Sequence, residues 1–230
     1  MSLRLLALLA LAPTLGAADA KPASPPATLL AQPVAPLVVD ALTAGSEMGR
    51  WLSTKGKWER RPDGLRGEEV EADKHNAVNR LGQPLGDFVF ACEFRFDGAK
   101  GFSFSVNDPK EHLTRVLLTP TSFTARKDDR DKKGPDVAVN YRTETVKLDP
   151  GTWHSLVVEM VGDTFVATLD GKVTAVGTHE LFRGPKVSPG FTVDGAAATF
   201  RNVAVWSARP EPKPDWKARR DALAGATSAK

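Results

Sequence analysis

Hydrophobic residues occupy every second position through the middle of the chain. The clearest run contains Phe88, Phe90, Cys92, Phe94 and Phe96. Successive side chains of a β-strand point to opposite faces, so this spacing predicts a strand with one buried, aromatic face. The residues between them, which include Glu93 and Arg95, lie on the other face of the same strand. Cys92 is therefore interpreted as a small buried hydrophobe with an unreactive thiol.

The same period of two recurs further along the chain. Residues 156 to 160 alternate in this way and are followed by a Gly162-Asp163 turn. Residues 165 to 169 alternate again and are closed by Asp170-Gly171, a dipeptide typical of tight hairpins. This pattern predicts an antiparallel hairpin.

Short strands of this kind fill the region between residues 37 and 207. Further candidates are Trp58–Arg60, Gly64–Val70, Gly101–Val106, Thr114–Leu118, Ser122–Arg126, Val173–Val176, Gly190–Val193 and Thr199–Trp206. Turn residues recur about every 8–12 positions, and no segment of this region shows the 3.6-residue period of a helix. The prediction is an all-β fold, a two-sheet antiparallel sandwich of the jelly-roll type.

The N-terminal end is typical of an export signal. A short basic start with Arg4 precedes an apolar run from Leu5 to Ala12, and Ala18-Asp19-Ala20 fits the small-x-small cleavage pattern. We therefore expect residues 1–20 to be a signal peptide and the protein to be periplasmic or extracellular. An uncleaved N-terminal anchor is the alternative.

Proline-rich segments flank the predicted domain. Residues 21–36 contain five prolines and are expected to be a semi-extended linker. Residues 208–230 begin with three prolines, after which Asp215 is a candidate N-cap for a short helix ending near Leu223. The sandwich is therefore assigned to residues 37–207 and the tail to residues 208–230.

Composition excludes several classes of function. The chain has 31 Lys and Arg against 28 Asp and Glu, a net charge of +3, and these charges are scattered rather than gathered in one stripe. This argues against a dedicated nucleic-acid-binding protein. The single cysteine excludes an intrachain disulfide framework and a cysteine-based zinc site. No apolar run reaches the roughly 18 residues that a membrane-spanning helix needs.

Three stretches of the sandwich resemble a known superfamily. They are Gly49-Arg50-Trp51 through Asp63-Gly64-Leu65, the strands at Phe88–Phe96 and Gly101–Val106, and Gly151-Thr152-Trp153-His154 through Asp170-Gly171-Lys172 and Phe200–Trp206. Together they resemble the concanavalin A-like jelly rolls, and within these the exported bacterial 3-keto-disaccharide hydrolase-like domains. The resemblance implies a jelly-roll fold and a carbohydrate-active protein with a saccharide ligand. The matching residues are structural, and Trp153-His154 stands where family members commonly have Trp-Asn.

The acid pair of the laminarinase-type jelly-roll glucanases is missing. Those enzymes place carboxylates at alternate positions of one strand, whereas the comparable strand here reads Glu93-Phe94-Arg95-Phe96-Asp97. A guanidinium at Arg95 serves neither as nucleophile nor as general acid, so the paired-carboxylate mechanism is excluded. Glu93 and Arg95 are interpreted either as a structural pair on one face or as ligand-binding residues.

A second group of polar residues follows the strand at Gly64–Val70. Glu69, Glu71 and Asp73 alternate and lead into His75 and Asn76. If the strand continues that far, the side chains of Glu69, Glu71, Asp73 and His75 all point the same way. Such residues are suitable ligands for a divalent cation such as Ca²⁺, or contacts for a sugar. The alternative is a solvated edge strand that runs into a loop.

The third group lies in and after a predicted hairpin. Asn107, Asp108, His112 and Arg115 are residue types that hydrogen-bond sugar hydroxyls, and His112 can also transfer a proton near neutral pH. His112 and Arg115 are three positions apart, so they share a face only if the strand begins after His112 or contains a bulge.

Three functions remain open from the sequence. In the first, the protein cleaves 3-keto sugars by proton abstraction, with His112 or His75 as the base and Arg115, Arg95 or a cation stabilising the enolate. In the second, it is a non-catalytic module that binds a saccharide or a surface. The third is a structural, partner-binding sandwich.

Overall fold

The computed structural model describes residues 24–46, 50–129, 133–134 and 136–228. The strands are β1 (Ala31–Asp40), β2 (Trp51–Lys55), β3 (Lys57–Arg61), β4 (Gly64–Glu68), β5 (Ala77–Leu81), β6 (Phe88–Asn107), β7 (His112–Thr119), β8 (Ser122–Lys127), β9 (Val139–Thr145), β10 (His154–Val161), β11 (Thr164–Leu169), β12 (Val173–Thr178) and β13 (Val187–Pro210). Short 3₁₀ turns occupy Glu71–Asp73 and Glu180–Arg183, and one α-helix, α1, spans Trp216–Ser228.

Two long strands carry the chain from one layer of the sandwich to the other. The first part of β6 pairs with β10, and its second part pairs with β7. β13 runs beside β6 along both parts, with register shifts around Gly195. Gly98 and Gly195 have φ of 102° and 80° at this bend, a conformation that suits glycine. The hydrogen-bonded sheet therefore folds over on itself.

The bend defines two layers. The first layer has the order β12, β11, β10, residues 88–96 of β6, the second part of β13, β4 and β3, with β1 also on β13. The second layer has the order β2, β5, the first part of β13, residues 101–107 of β6, β7, β8 and β9. All of these pairings are antiparallel.

Aromatic rings join the two layers. Phe90 and Phe104 belong to the same strand, yet their ring centroids are 4.1 Å apart. Phe191 and Phe200, both in β13, are stacked with centroids 3.9 Å apart. Such contacts within one strand require it to double back. Burial of a phenylalanine side chain contributes about 1.5–3 kcal/mol, so this shared core stabilises the folded-over sheet.

The predicted all-β antiparallel sandwich is confirmed. The aromatic side chains between Phe88 and Phe96 are buried in the core, as the alternation predicts. The two strands expected at Phe88–Phe96 and Gly101–Val106 are a single strand, because the backbone bends at Gly98 without leaving the sheet.

The prediction of a linker over residues 21–36 is wrong for its last part. Residues 31–36 belong to β1, which pairs with β13. The prolines of this segment are tolerated because β1 is an edge strand, and register shifts follow Pro33 and Pro36. Strands β2, β5 and β9 were not expected from the sequence either.

Both ends of the described chain are fixed to the outer face of the first layer. The buried carboxylate of Glu159 accepts hydrogen bonds from the backbone N–H groups of Leu29, Leu30 and Ala31, at 2.7–2.9 Å. Trp216 of α1 donates its indole N–H to the carbonyl oxygen of Leu30, at 2.7 Å. The expected C-terminal helix is thus present and docked. The predicted signal peptide, residues 1–20, lies outside the described residues.

Within the described ranges, no helix has the length and apolar character needed to cross a bilayer.

Candidate functional site

The outer face of the second layer carries a row of arginines. Register pairs Arg80 with Gly190, Gly190 with Ser105, Ser105 with Arg115, and Arg115 with Arg126. Directly paired residues of neighbouring strands point to the same side of a sheet. The phenylalanines of this layer point to the core, so the row faces outward. We call this surface the arginine face; it comprises Arg80, Ser105, Asn107, His112, Arg115, Arg126, Asp128 and Thr192.

Arg115 and Arg126 share one carboxylate. Arg115 donates two hydrogen bonds to Asp128, from Nε at 2.7 Å and from Nη2 at 2.8 Å. Arg126 Nε lies 2.9 Å from Asp128 Oδ1. The Asp128 side chain is 2% exposed, so its charge is enclosed between the two guanidinium groups. A bidentate arginine–carboxylate pair fixes the guanidinium and carboxylate planes relative to each other. It therefore holds the side chain of Arg115 in place.

The side chain of Arg80, on β5, extends past Gly190 of β13 to reach β6. A Cβ atom at Gly190 would lie 2.2 Å from the carbonyl oxygen of Asn79 and 3.0 Å from Arg80 Cδ, so the absence of a side chain there allows both the β5 backbone and the arginine stem to approach closely. Arg80 Nη1 donates to Ser105 Oγ, and Nη2 lies 3.4 Å from Thr192 Oγ1. Burial, together with the charge of Arg115, lowers the pKa of Arg80 to about 10. The guanidinium therefore stays charged at neutral pH.

A bulge in β7 brings His112 to the arginine face. Thr114 pairs with Val106, but the next residue of β6, Asn107, pairs with His112. Leu113 is the extra residue and is buried in the core. This bulge meets the condition that the sequence set for His112 and Arg115 to share a face.

The imidazole of His112 is neutral near pH 7. Burial lowers its pKa, and the charges of Arg115 and Arg80 lower it further. His112 Nδ1 lies 2.8 Å from the amide oxygen of Asn107, which only accepts hydrogen bonds. Nδ1 therefore carries the proton, and Nε2 is the unprotonated nitrogen that can accept one.

Asp108 does not join this row. Its Oδ1 accepts the backbone N–H groups of Lys110 and Glu111, at 2.7 and 2.9 Å, and so shapes the hairpin turn. Asp108 also lines a separate cleft of about 330 Å³ with Lys110 and Leu181. The sequence grouped Asp108 with His112 and Arg115, and the structure separates them.

Glu93 and Arg95 lie on the opposite outer face, in the first layer. Glu93 accepts hydrogen bonds from Arg201 and Asn202. Arg95 binds Asp97 at 2.7 Å and Asp63 at 2.9 Å. The two residues do share a face, as the alternation predicts, but their charges are matched within the protein and they lie away from the arginine face.

The residues from Glu71 to Asn76 form a turn and not a continued strand. β4 ends at Glu68, and Glu71–Asp73 is a 3₁₀ turn. The expectation that all four side chains point one way is therefore wrong. Asp73 accepts the backbone N–H of Gly56 at 2.6 Å, which ties the turn to the β2–β3 connection.

His75 and Asn76 line an open cleft of about 610 Å³. Glu71 and Gly195 also line it, and the His75 side chain is exposed. Asp73 is not among the lining residues. Within the described ranges, no group of three or more His, Cys, Asp or Glu side chains is placed to hold a metal ion. The structure does not bring His75 together with His112 or Arg115.

Five members of the arginine face were not singled out from the sequence: Arg80, Ser105, Arg126, Asp128 and Thr192. Arg80 belongs to β5, which the sequence did not reveal, and its neighbours come from strands far away in the chain. Arg126 closes a predicted strand, and its alternation with Thr124 was the one local signal that it faces outward.

Aromatic platforms are placed elsewhere. Trp51 stacks on Phe191, and Trp153 lies against the guanidinium groups of Arg201 and Arg95 on the first layer. The paired strand positions that form the arginine face, as far as the structure describes them, contain no Phe, Tyr or Trp. Recognition on this face would therefore depend on charge and hydrogen bonds.

Comparisons with known proteins relate the chain to carbohydrate-active jelly rolls by structure. A carbohydrate-binding module, CBM66 from Bacillus subtilis, matches with a TM-score of 0.55 and 19% identity, over 68% of this chain and 95% of that one. A protein of unknown function with a galectin-like fold, also from Bacillus subtilis, matches with a TM-score of 0.56 and 14% identity, over 77% and 98% of the two chains.

A third structure is an enzyme. SCLam, a non-specific endo-β-1,3(4)-glucanase of family GH16, matches with a TM-score of 0.56 and 9% identity, over 77% of this chain and 95% of that one. No family model matches the sequence, and no curated protein matches it. At these identities the likeness confirms the jelly-roll fold.

Proposed function

We propose that this protein binds a saccharide on the arginine face. The observation that carries the proposal is the cross-strand row of Arg80, Ser105 and Arg115 on the outer face of a jelly-roll layer. A guanidinium donates parallel hydrogen bonds that suit adjacent oxygen atoms, and hydroxyl groups such as that of Ser105 both donate and accept. Neighbours of this fold include a carbohydrate-binding module and an endo-β-1,3(4)-glucanase, which supports a saccharide as ligand.

The rigidity of the row favours binding. Arg115 is held by Asp128, and Arg80 by Ser105, so little side-chain freedom is lost when a ligand arrives. Groups on adjacent strands of a sheet are also spaced regularly. Such a surface suits a chain of sugar hydroxyl groups better than a single small molecule.

A second candidate function is cleavage of a 3-keto disaccharide. The observation in its favour is the neutral His112 beside two guanidinium groups. A keto group makes the neighbouring C–H acidic, so His112 Nε2 would remove that proton while Arg115 or Arg80 stabilises the enolate oxygen. The C1–O bond would then break as a C1=C2 double bond forms, the protonated His112 would return its proton to the leaving oxygen, and water added across the double bond would give 3-keto-glucose. His75, the other base considered, lies in a separate cleft.

A glycan array tests whether the protein binds a saccharide. We expect the mature protein to bind at least one saccharide class, and the Arg115→Gln variant to bind it at least 10-fold more weakly. Arg95→Gln is the matched control, because Arg95 is an ion-paired arginine on the opposite face. Failure of the folded protein to bind any glycan, or equal loss in both variants, would contradict the proposal.

Turnover tests the second candidate. Release of 3-keto-glucose from a 3-keto disaccharide is measured for the wild-type protein and for His112→Gln. The enzymatic proposal expects turnover that falls at least 100-fold in the variant. Saccharide binding without turnover would leave the binding function alone.

Export and a divalent cation complete the proposal. The N-terminal sequence of the protein recovered outside the cytoplasm should begin at Lys21 if residues 1–20 are a signal peptide.

Saccharide binding measured with Ca²⁺ and with a chelator tests whether Glu71 and the residues near it contribute a cation site.

A further inference from the structure

Arg80 differs from the other arginines of the arginine face in having no acidic partner. Arg115 and Arg126 both bind Asp128. Arg80 is half-buried and donates hydrogen bonds to the hydroxyl groups of Ser105 and Thr192. Within the ranges that the structure describes, no carboxylate forms an ion pair with Arg80. The residues of the arginine face therefore include three guanidinium groups and one carboxylate, which only Arg115 and Arg126 share.

A half-buried guanidinium without a counter-ion is costly. The loss of hydration disfavours its charge, and Arg115 repels it, which is the physical cause of its lowered pKa. Arg80 donates hydrogen bonds to two hydroxyl oxygens, which satisfy two of its five N–H donors and supply no negative charge. The remaining donors and the uncompensated charge suit an anionic group from outside the protein.

The residues around Arg80 hold its guanidinium group in a defined position. Gly190 leaves the space that the arginine stem occupies, and Ser105 holds the far end of the guanidinium. Gly190, Ser105 and Arg80 come from three different strands, so the sheet register fixes where the charge lies. A flexible surface arginine would show neither feature.

We infer that the saccharide bound on the arginine face carries a carboxylate group, as uronic acids do, and that the guanidinium of Arg80 is the partner of this carboxylate. The inference rests on the proposed saccharide-binding function and names its ligand class. Guanidinium and carboxylate match in shape through two parallel hydrogen bonds, which a neutral hydroxyl does not reproduce. Arg115, already held by Asp128, would contact neighbouring hydroxyl groups of the same sugar chain.

Calorimetric titrations with paired ligands test this inference. The probes are oligosaccharides of galacturonate, glucuronate and mannuronate, each compared with its own methyl ester, which removes the charge and keeps the sugar. A neutral oligosaccharide series and a sulfated carrageenan oligosaccharide complete the set. We expect at least one uronate to bind 10-fold or more tightly than its ester, and its affinity to fall with added salt.

Variants at Arg80 assign the effect to one residue. Arg80→Met keeps most of the stem and removes the charge, so it should lower uronate affinity by a much larger factor than ester affinity and abolish the preference for the uronate. Arg80→Lys should be intermediate, because it keeps the charge without the planar fork. Thermal unfolding of each variant, and Arg95→Gln as control, show whether a loss reflects misfolding.

The outcomes distinguish this inference from the function it rests on. If no uronate binds better than its ester while neutral saccharides bind through Arg115, the saccharide-binding function stands and the carboxylate inference is overturned. Tighter binding of the sulfated oligosaccharide than of every uronate also overturns it. If no saccharide of any charge binds, the proposed function itself falls.

Discussion

Arg115 donates two parallel hydrogen bonds to the carboxylate of Asp128, whereas Arg80, on the other side of β6, donates to the hydroxyl groups of Ser105 and Thr192. The two arginines face the same side of one sheet, and each lies in register with the other through Ser105 and Gly190. The two arginines therefore differ in role. The charge of Arg115 is balanced by Asp128 within the fold, whereas the charge of Arg80 is available to a ligand.

Asp128→Asn should destabilise the protein. The substitution removes the charge that Arg115 and Arg126 share and leaves two guanidinium groups facing each other. Hydrogen bonds to charged groups contribute about 1.5–3 kcal/mol, so we expect a loss of roughly 2 kcal/mol in the free energy of unfolding in urea. Asp149→Asn is the control, because its ion pair with Lys147 is exposed and should change stability by less than about 0.5 kcal/mol. Equal effects of the two substitutions would show that Asp128 has no special role.

Stability should fall in acid partly through Asp40. Burial alone would raise the pKa of this carboxyl, but hydrogen bonds from Arg60 and from the backbone N–H of Leu42 hold it below its ordinary value of 3.8. A folded-state pKa below the unfolded one stabilises the protein above pH 3.8, and this contribution is lost as the pH falls through the folded pKa.

Urea titrations at several pH values measure the contribution of Asp40. We expect the Asp40→Asn variant to be less stable than the wild type at pH 7, with the difference shrinking below pH 4. A difference that is constant over this range would contradict the prediction.

A glycine of β12 makes room for the only tyrosine. A Cβ atom at Gly177 would lie 2.2 Å from the ring of Tyr141. Gly177→Ala should therefore force the ring to move and cost about 1–3 kcal/mol in the free energy of unfolding. In the Tyr141→Ala background the same substitution should cost much less, because the ring is gone. Additive losses in this double-mutant cycle would show that the contact carries no strain.

Cys92 should be unreactive in the folded protein. The thiol is fully buried, and burial raises its pKa well above the ordinary value. A thiol-specific reagent that measures free cysteine should detect less than a tenth of the thiol within minutes at pH 8 in the native protein, and all of it in denaturant. Rapid reaction of the Cys92 thiol in the native protein would mean that the first layer opens readily.

The period of two was sufficient to predict the sandwich core. The alternation at Phe88–Phe96 has few other interpretations, and the hairpin at residues 156–169 forms as expected. Strand β1 was missed because Pro33 and Pro36 resemble a linker, whereas an edge strand accepts them. The join between the two parts of β6 was missed because Asp97-Gly98 resembles a turn.

The candidate site was only half visible in the sequence. His112 and Arg115 were found because they are close together beside a predicted hairpin. Arg80 was missed, since its place depends on the pairing of β5 with β13 and of β13 with β6, and these partners are more than 100 residues apart in the case of Gly190. Long-range register of this kind leaves no local pattern.

Hydrogen–deuterium exchange with a bound saccharide tests the central claim most directly. The probe is the saccharide that the glycan array selects, added to the wild-type protein at saturation. If the saccharide binds on the arginine face, we expect slower exchange of backbone amides in β5, β7 and the second part of β6. We expect no change in β10 or around Arg95 and Arg201. Protection confined to the outer face of the first layer, or to the cleft at His75, would contradict it.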